Sequence, residues 1–236
     1  MSTNEILMGT MILFVSSNLL GVLYSCLVLY TGLFKKYRIQ EKEYTKGVLP
    51  KRLPLYLLNV VLVLGLSASS IYMIEDQIDT SWPTIWVFIG QLLVIFLFDD
   101  LWFYFAHRWM HENKWALKNI HSIHHRATTP FPLEYLYVHP LEWMIGMVGI
   151  VIGIAIIFIF MPVNVYVFWA MGFIRNMHEI HIHSDLDIPW LNWIPFVSST
   201  ENHDVHHAKL NGNYASTFSI WDKIMKTEFK EPIENK

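Results

Sequence analysis

Thiols are nearly absent from this chain. Cys26 is the only cysteine in 236 residues, which excludes an intramolecular disulfide and any metal site built from several thiolates. Charge is scarce as well: Asp, Glu, Lys and Arg make up 16% of the residues, against roughly 25% in soluble domains. The net charge of −3 gives no electrostatic grip on a polyanion, so a nucleic-acid partner is excluded. Histidine is missing from the whole N-terminal part; all twelve fall between His107 and His207. Also lacking are a Gly-rich dinucleotide fingerprint, a haem-attachment motif and a cysteine-rich iron–sulfur motif.

What the chain has instead is apolar sequence. Hydrophobic residues reach 53%, above the roughly 45–50% of soluble domains. A membrane helix needs about 20 mostly apolar residues. Such runs span 6–34, 55–74, 84–106 and 141–161, and a shorter one follows Pro162 over 163–177. The first is too long for a cleaved signal peptide and has no basic stretch before it. Pro162 between the last two runs predicts a helical hairpin. The loops differ in charge. Residues 35–54 hold seven basic residues, whereas 75–83 hold Glu75, Asp76 and Asp79 and no base. The positive-inside rule puts the basic loop in the cytoplasm, and counting spans then brings every histidine to that side.

The fold expected is therefore an all-α integral membrane protein. It has four to five transmembrane or membrane-embedded helices and a cytoplasmic histidine-rich helical cap holding a dimetal site. Residues 1–83 are expected to form N-terminal transmembrane helices with the basic loop, and 84–230 a second domain that carries every histidine. The membrane is the plasma membrane of a bacterium or the endoplasmic reticulum of a eukaryote.

The histidines are patterned. His107 and His111 stand at i, i+4; His121, His124 and His125 stand at i, i+3, i+4; His203, His206 and His207 repeat that spacing. On a helix these offsets share one face, so each cluster is expected to aim its rings at one point, as a metal centre requires. Neutral imidazole suits iron, zinc, copper and nickel. A fourth group, His178, His181 and His183, is less regular: two of the three are expected to be ligands and one a bystander. The total is ten imidazoles, too many for one ion and suited to two with positions left for oxygen or water. A thiol-free shell beside a membrane favours redox-active iron over structural zinc, whose closed sites take four ligands.

Groups that orient ligands are also visible, because a metal-bound imidazole usually donates its other N–H to a carboxylate or carbonyl. Asp100 and Tyr104 lie on the helical stripe of His107 and His111, and Asp100 is the expected orienter of that cluster. Asp185 and Asp204 adjoin ligand candidates and have the same potential role. His139, before Pro140 and Glu142, is a candidate ligand, orienter or helix cap. His181 is the remaining candidate for ligation. Aromatic residues flank these clusters, among them Phe103, Trp109, Tyr135, Tyr137, Trp190 and Trp193. Interfacial anchoring is their default role, and lining a lipid channel the sharper one.

Taken in order, Asp100-x-x-x-Tyr104-x-x-His107-Arg108-x-x-His111, His121-Ser-Ile-His124-His125, His139-Pro140-Leu141-Glu142, His183-Ser184-Asp185, His203-Asp204-Val205-His206-His207, Asn213-Tyr214 and Trp221-Asp222 resemble the fatty acid hydroxylase/sterol desaturase superfamily. The resemblance runs from about Asp100 to Thr227. It departs at Ala215 and Lys226, where members often carry glycine. It implies two histidine-ligated irons, O2 as co-substrate, and hydroxylation or desaturation of a lipid such as a sterol, fatty acyl or sphingoid chain. It implies electrons from a separate NAD(P)H-linked carrier, a reductase, ferredoxin or cytochrome. The three regular clusters carry over as ligands, with His183 and His178. The alternatives are a zinc-dependent membrane lipid hydrolase using the same histidines, a metal transporter or sensor, and a bis-histidine haem protein. A transporter would place ligands near the bilayer midplane, and a haem would leave most of the histidines unexplained.

Overall fold

The computed structural model describes residues 1–189 and 196–229. The expected Trp190 and Trp193 anchors lie outside the described residues. Helix α1 (Thr3–Tyr30) opens on a capping box between Ser2 and Glu5, which satisfies two otherwise orphaned backbone donors. Helix α2 (Val48–Met73) begins seven residues before the apolar run. Pro50 falls in its first turn, where a missing N–H costs nothing, and only Pro54 forgoes a helical bond. Helix α3 (Ile85–Glu112) starts at the Thr84 cap and continues six residues past the apolar run, so His107 and His111 ride on the spanning helix itself.

The short α4 (Lys114–Asn119) follows directly. Two 3₁₀ turns, His121–Arg126 and Pro132–Leu136, lead to α5 (Pro140–Phe158). Helix α6 (Val165–Ile182) returns from the Pro162 turn, completing the expected hairpin. Helices α7 (Thr200–Lys209) and α8 (Ile220–Met225) finish the cap. Helices α1, α2, α3 and α5 are long and apolar enough to cross a membrane. The protein is a multi-pass, all-α membrane protein. Helix α6 packs chiefly against α1 and α3.

Three contacts fix what matters for the site. Helices α3 and α5 approach backbone to backbone: a Cβ on Gly149 would lie 2.6 Å from Asp99 Cα, and one on Gly153 2.8 Å from Ile95 Cα. Small residues permit such close packing of membrane helices. At the end remote from the histidines, strands β1 (Ile78–Asp79) and β2 (Val163–Asn164) pair in parallel and tie the α2–α3 loop to the hairpin turn. At the histidine end the basic loop folds over the cap. Arg38 Nε donates to Asp185 Oδ2 at 3.0 Å, Gln40 N to Asp185 Oδ1 at 2.9 Å, and Tyr44 OH to Asp185 Oδ2 at 3.1 Å. Arg52, in the first turns of α2, pairs with the buried Glu134. The basic residues therefore contribute contacts as well as topology.

Candidate metal centre

Four segments converge on one point of the cap. Helix α3 brings His107 and His111, the 121–126 turn brings three imidazoles, the C-cap of α6 brings His183, and α7 brings three more. They form two groups. His107, His111, His121, His125 and His206 offer nitrogens within 4.8 Å of one another, and so do His124, His183, His203 and His207. The regular clusters do not each serve one point, as their spacing predicted. Each H-x-x-H-H is divided: His121 and His125 join the first group and His124 the second, while His203 and His207 join the second and His206 the first. The i and i+4 rings stay together and the i+3 ring faces the other way. A 3₁₀ turn over 121–126 and the approach of α7 from the far side produce this division.

The ring orientations are held from behind. His107 Nδ1 lies 2.7 Å from Tyr214 O, His206 Nδ1 2.8 Å from Gly212 O, and His183 Nδ1 2.7 Å from Glu179 O. His121 Nδ1 lies 2.8 Å from Glu142 Oε1. Each of these oxygens accepts only, so each Nδ1 carries the proton and each Nε2 presents a bare lone pair. Those lone pairs crowd together. Nε2 of His107 is 3.2 Å from Nε2 of His121. Two acceptor nitrogens at that distance repel unless a cation lies between them. Nitrogens bound to one ion at about 2.0–2.1 Å sit about 3 Å apart along an edge, so the donor set fits a metal ion in each group.

Electrostatics agree. Burial, followed by the neighbouring imidazoles, pushes His121, His124, His203 and His207 well below the ordinary histidine value. Burial takes His125 to about 2 and His206 to about 4. The rings are neutral, as ligation requires.

Other sequence candidates fall elsewhere. His178 joins neither group; its Nε2 meets Ser216 O at 3.0 Å. Because α6 stays helical to Ile182, His178 and His183 project about 140° apart around its axis, and only the cap residue turns inward. His181 Nδ1 lies 3.5 Å from Tyr24 OH, outside both groups. His139 caps α5, accepting from Leu141 N at 3.1 Å. Asp100 touches no imidazole. It accepts from Thr217 N, Phe218 N and Trp221 Nε1 at 2.8, 3.0 and 2.7 Å, and so pins the loop whose Tyr214 carbonyl faces His107. Tyr104 OH contacts Thr227 Oγ1 at 2.9 Å. Asp185 binds the basic loop, and Asp204 Oδ1 accepts from Gln40 Nε2 at 2.5 Å; both point away from the rings beside them in sequence.

Sequence reasoning missed Glu142 as the orienter, although it stands in the quoted His139–Glu142 element at the start of an apolar run. It also missed Arg175, whose Nε donates to the buried Asp99 Oδ2 at 2.7 Å; the signal was a lone base near the end of the fifth run.

A cleft opens beside the histidines. Phe103, Val138, Trp143 and Met147 give it apolar walls, and His107, His124, His183 and His203 line it too. Phe103 and Tyr135 thus line the channel side, while Trp109 is exposed.

The profile of the fatty acid hydroxylase family matches residues 92–227. Methylsterol monooxygenase 1 of Rattus norvegicus is 40% identical over 146 residues, 61% of this chain and 48% of the rat protein. Methylsterol monooxygenase erg25B of Aspergillus fumigatus is 32% identical over 217 residues, covering 84% of this chain and 69% of its own length. Very-long-chain aldehyde decarbonylase GL1-8 of Oryza sativa subsp. indica is 33% identical over 229 residues, 93% of this chain and 84% of its own. The match thus spans about half the length of the rat relative and more of the others. No solved structure is significantly similar. With the profile covering more than half of the residues and every histidine of the two groups inside it, the chain belongs to the fatty acid hydroxylase family, within the fatty acid hydroxylase/sterol desaturase superfamily.

Proposed function

We propose that the protein is a membrane-bound di-iron oxygenase that hydroxylates or desaturates a lipid, using O2 and external electrons. The observation that carries this reading is the pair of adjacent imidazole groups facing an apolar cleft. His107, His111, His121, His125 and His206 would hold one iron, and His124, His183, His203 and His207 the other. Bound iron would supply the O2-dependent oxidation of an unactivated C–H bond.

The chain's own residues do the remaining work. Tyr214 O, Gly212 O, Glu179 O and Glu142 fix the ring orientations. Phe103, Trp143 and Met147 hold an apolar substrate against the histidines and keep competing water out. The monooxygenase relatives' names support a sterol as substrate, and the decarbonylase name supports a long acyl chain. The basic loop and the histidine cap share one side, which the positive-inside rule assigns to the cytoplasm. A separate NAD(P)H-linked reductase, ferredoxin or cytochrome delivers electrons there.

The test is metal content after anaerobic purification in detergent, beside a His124→Ala, His206→Ala double variant. About two irons per chain in the parent protein, lost in the variant, is the expected result. Stoichiometric zinc, with no lipid-dependent O2 consumption after iron reconstitution, would overturn the reading in favour of a hydrolase.

A further inference from the structure

A second hollow lies where α1 ends and the basic loop begins. Val28 and Phe34 give it apolar wall, and Lys35, Arg38, Glu43 and Tyr44 line it too. Helix α1 has 28 residues, so it is about 42 Å long and outruns a hydrocarbon core of about 30 Å. Its last turn therefore stands at the level of the lipid headgroups, and the charged residues of the hollow follow that turn in the chain. The hollow shares no residue with the two imidazole groups or with the cleft beside them.

Its charges are not spent on one another. Lys35 and Glu43 are exposed and have no side-chain partner among the described residues. Arg38 gives Nε to Asp185 and Nη2 to the Lys42 carbonyl, and its guanidinium lies over the Tyr44 ring, 4.1 Å from the centroid. Its Nη1 has no partner among the described residues, although a guanidinium has five N–H donors. The hollow thus offers two cations and one carboxylate, with an apolar wall on the side of α1.

We infer that this hollow binds the headgroup of a zwitterionic phospholipid that carries a primary ammonium, namely phosphatidylethanolamine. Lys35 and Arg38 supply positive charge and N–H donors for the phosphate. Glu43 supplies the acceptor for the ammonium. Val28 and Phe34 cover the glycerol end, from which the acyl chains run into the bilayer beside α1. Phosphatidylglycerol has the phosphate but sets a neutral diol against Glu43. The trimethylammonium of phosphatidylcholine has no N–H to donate. Arg38 and Tyr44 also hold Asp185, so the headgroup packs against the same loop that folds over the cap.

The experiment titrates the full chain in detergent micelles with dioleoyl phosphatidylethanolamine, phosphatidylcholine or phosphatidylglycerol, and counts bound lipid by native mass spectrometry. The ethanolamine lipid is expected to bind about tenfold more tightly than either of the others, the worth of one hydrogen bond to a charged group. Glu43→Gln removes the partner of the ammonium, so the preference is lost and phosphatidylglycerol gains. Lys35→Gln weakens all three lipids and leaves their order unchanged. Both side chains are exposed and unpaired, so both variants are expected to fold. Glycerophosphoethanolamine, the same headgroup without acyl chains, is expected not to displace the lipid at equal concentration. Equal affinity for the three lipids overturns the proposal, as does an ethanolamine preference that survives Glu43→Gln or an affinity untouched by Lys35→Gln. Displacement by glycerophosphoethanolamine would make the ligand a soluble phosphodiester and overturn the assignment to a membrane lipid.

Discussion

His121 Nδ1 stands 2.8 Å from Glu142 Oε1, across the gap between the 121–126 turn and the first turn of α5. This is the one carboxylate hydrogen-bonded to a ligand candidate among the described residues; the other held rings use backbone carbonyls. A carboxylate raises the basicity of the imidazole it orients, and removing such a partner typically costs 10–100-fold in metal affinity. Glu142→Ala is expected to weaken iron retention by that factor, measured as iron remaining against a graded chelator. Glu142→Gln keeps an acceptor for Nδ1–H and loses less. Equal retention in all three proteins would show that the carboxylate does not act through His121.

The divided H-x-x-H-H motifs make neighbouring residues unequal. His206 belongs to the five-imidazole group and His207 to the four-imidazole group. A group of four loses a larger share of its ligands with each deletion than a group of five. His207→Ala is therefore expected to lower iron from about two per chain towards one, and His206→Ala to lower it less at equal chelator. Plasma emission spectrometry on both variants reads this directly. The reverse order would contradict the assignment of these rings to groups.

The basic loop gives a third test. Gln40 joins its backbone N–H to Asp185 and its side chain to Asp204. Those two acids follow His183 and His203 closely in the chain, and both histidines lie in the four-imidazole group. The loop thus clamps the end of α6 to α7. Gln40→Ala leaves the buried Asp204 with one bond fewer, a cost of about 1–3 kcal/mol. The expected readout is faster iron loss from one site of the two, with the second retained. Uniform loss from both sites would mean a global weakening of the cap instead.

Much of this was legible in sequence. Long apolar runs announced the spanning helices, because about 20 uncharged residues in a helix match the thickness of a bilayer's hydrocarbon core. The i, i+3, i+4 histidines pointed to converging imidazoles, because shared helical faces follow from covalent geometry. What spacing cannot say is which neighbour a face will meet. His124 leaves its own cluster because α7 and the α6 cap lie on its far side. Asp204 follows His203 by one residue, so about 100° of helical rotation turns it away from the rings and towards the loop. Arg175 and Asp99 pair across 76 residues, and nothing local in either run pointed to the other.

Acid sensitivity follows from the same crowding. Seven imidazoles outside the spans, His121, His124, His125, His183, His203, His206 and His207, have folded values below the ordinary 6.5. Unfolding lets each of them take a proton below that pH. Between about 6.5 and the folded value of His206, about 4, the unfolded chain binds more protons, so stability rises with pH across this window. Asp204 works the other way. Burial raises it from 3.8 to about 6, and its folded form takes a proton first as the pH falls. Burial raises Asp185 too, in the same sense. Seven rings outweigh two acids, so the metal-free protein in detergent is expected to melt progressively lower as the pH drops from 7 to 5. Iron-loaded protein should hold its melting temperature further into acid, because a ligated ring must lose its metal before it can be protonated. Coincident curves for the two forms would show that the metal is not bound through these nitrogens.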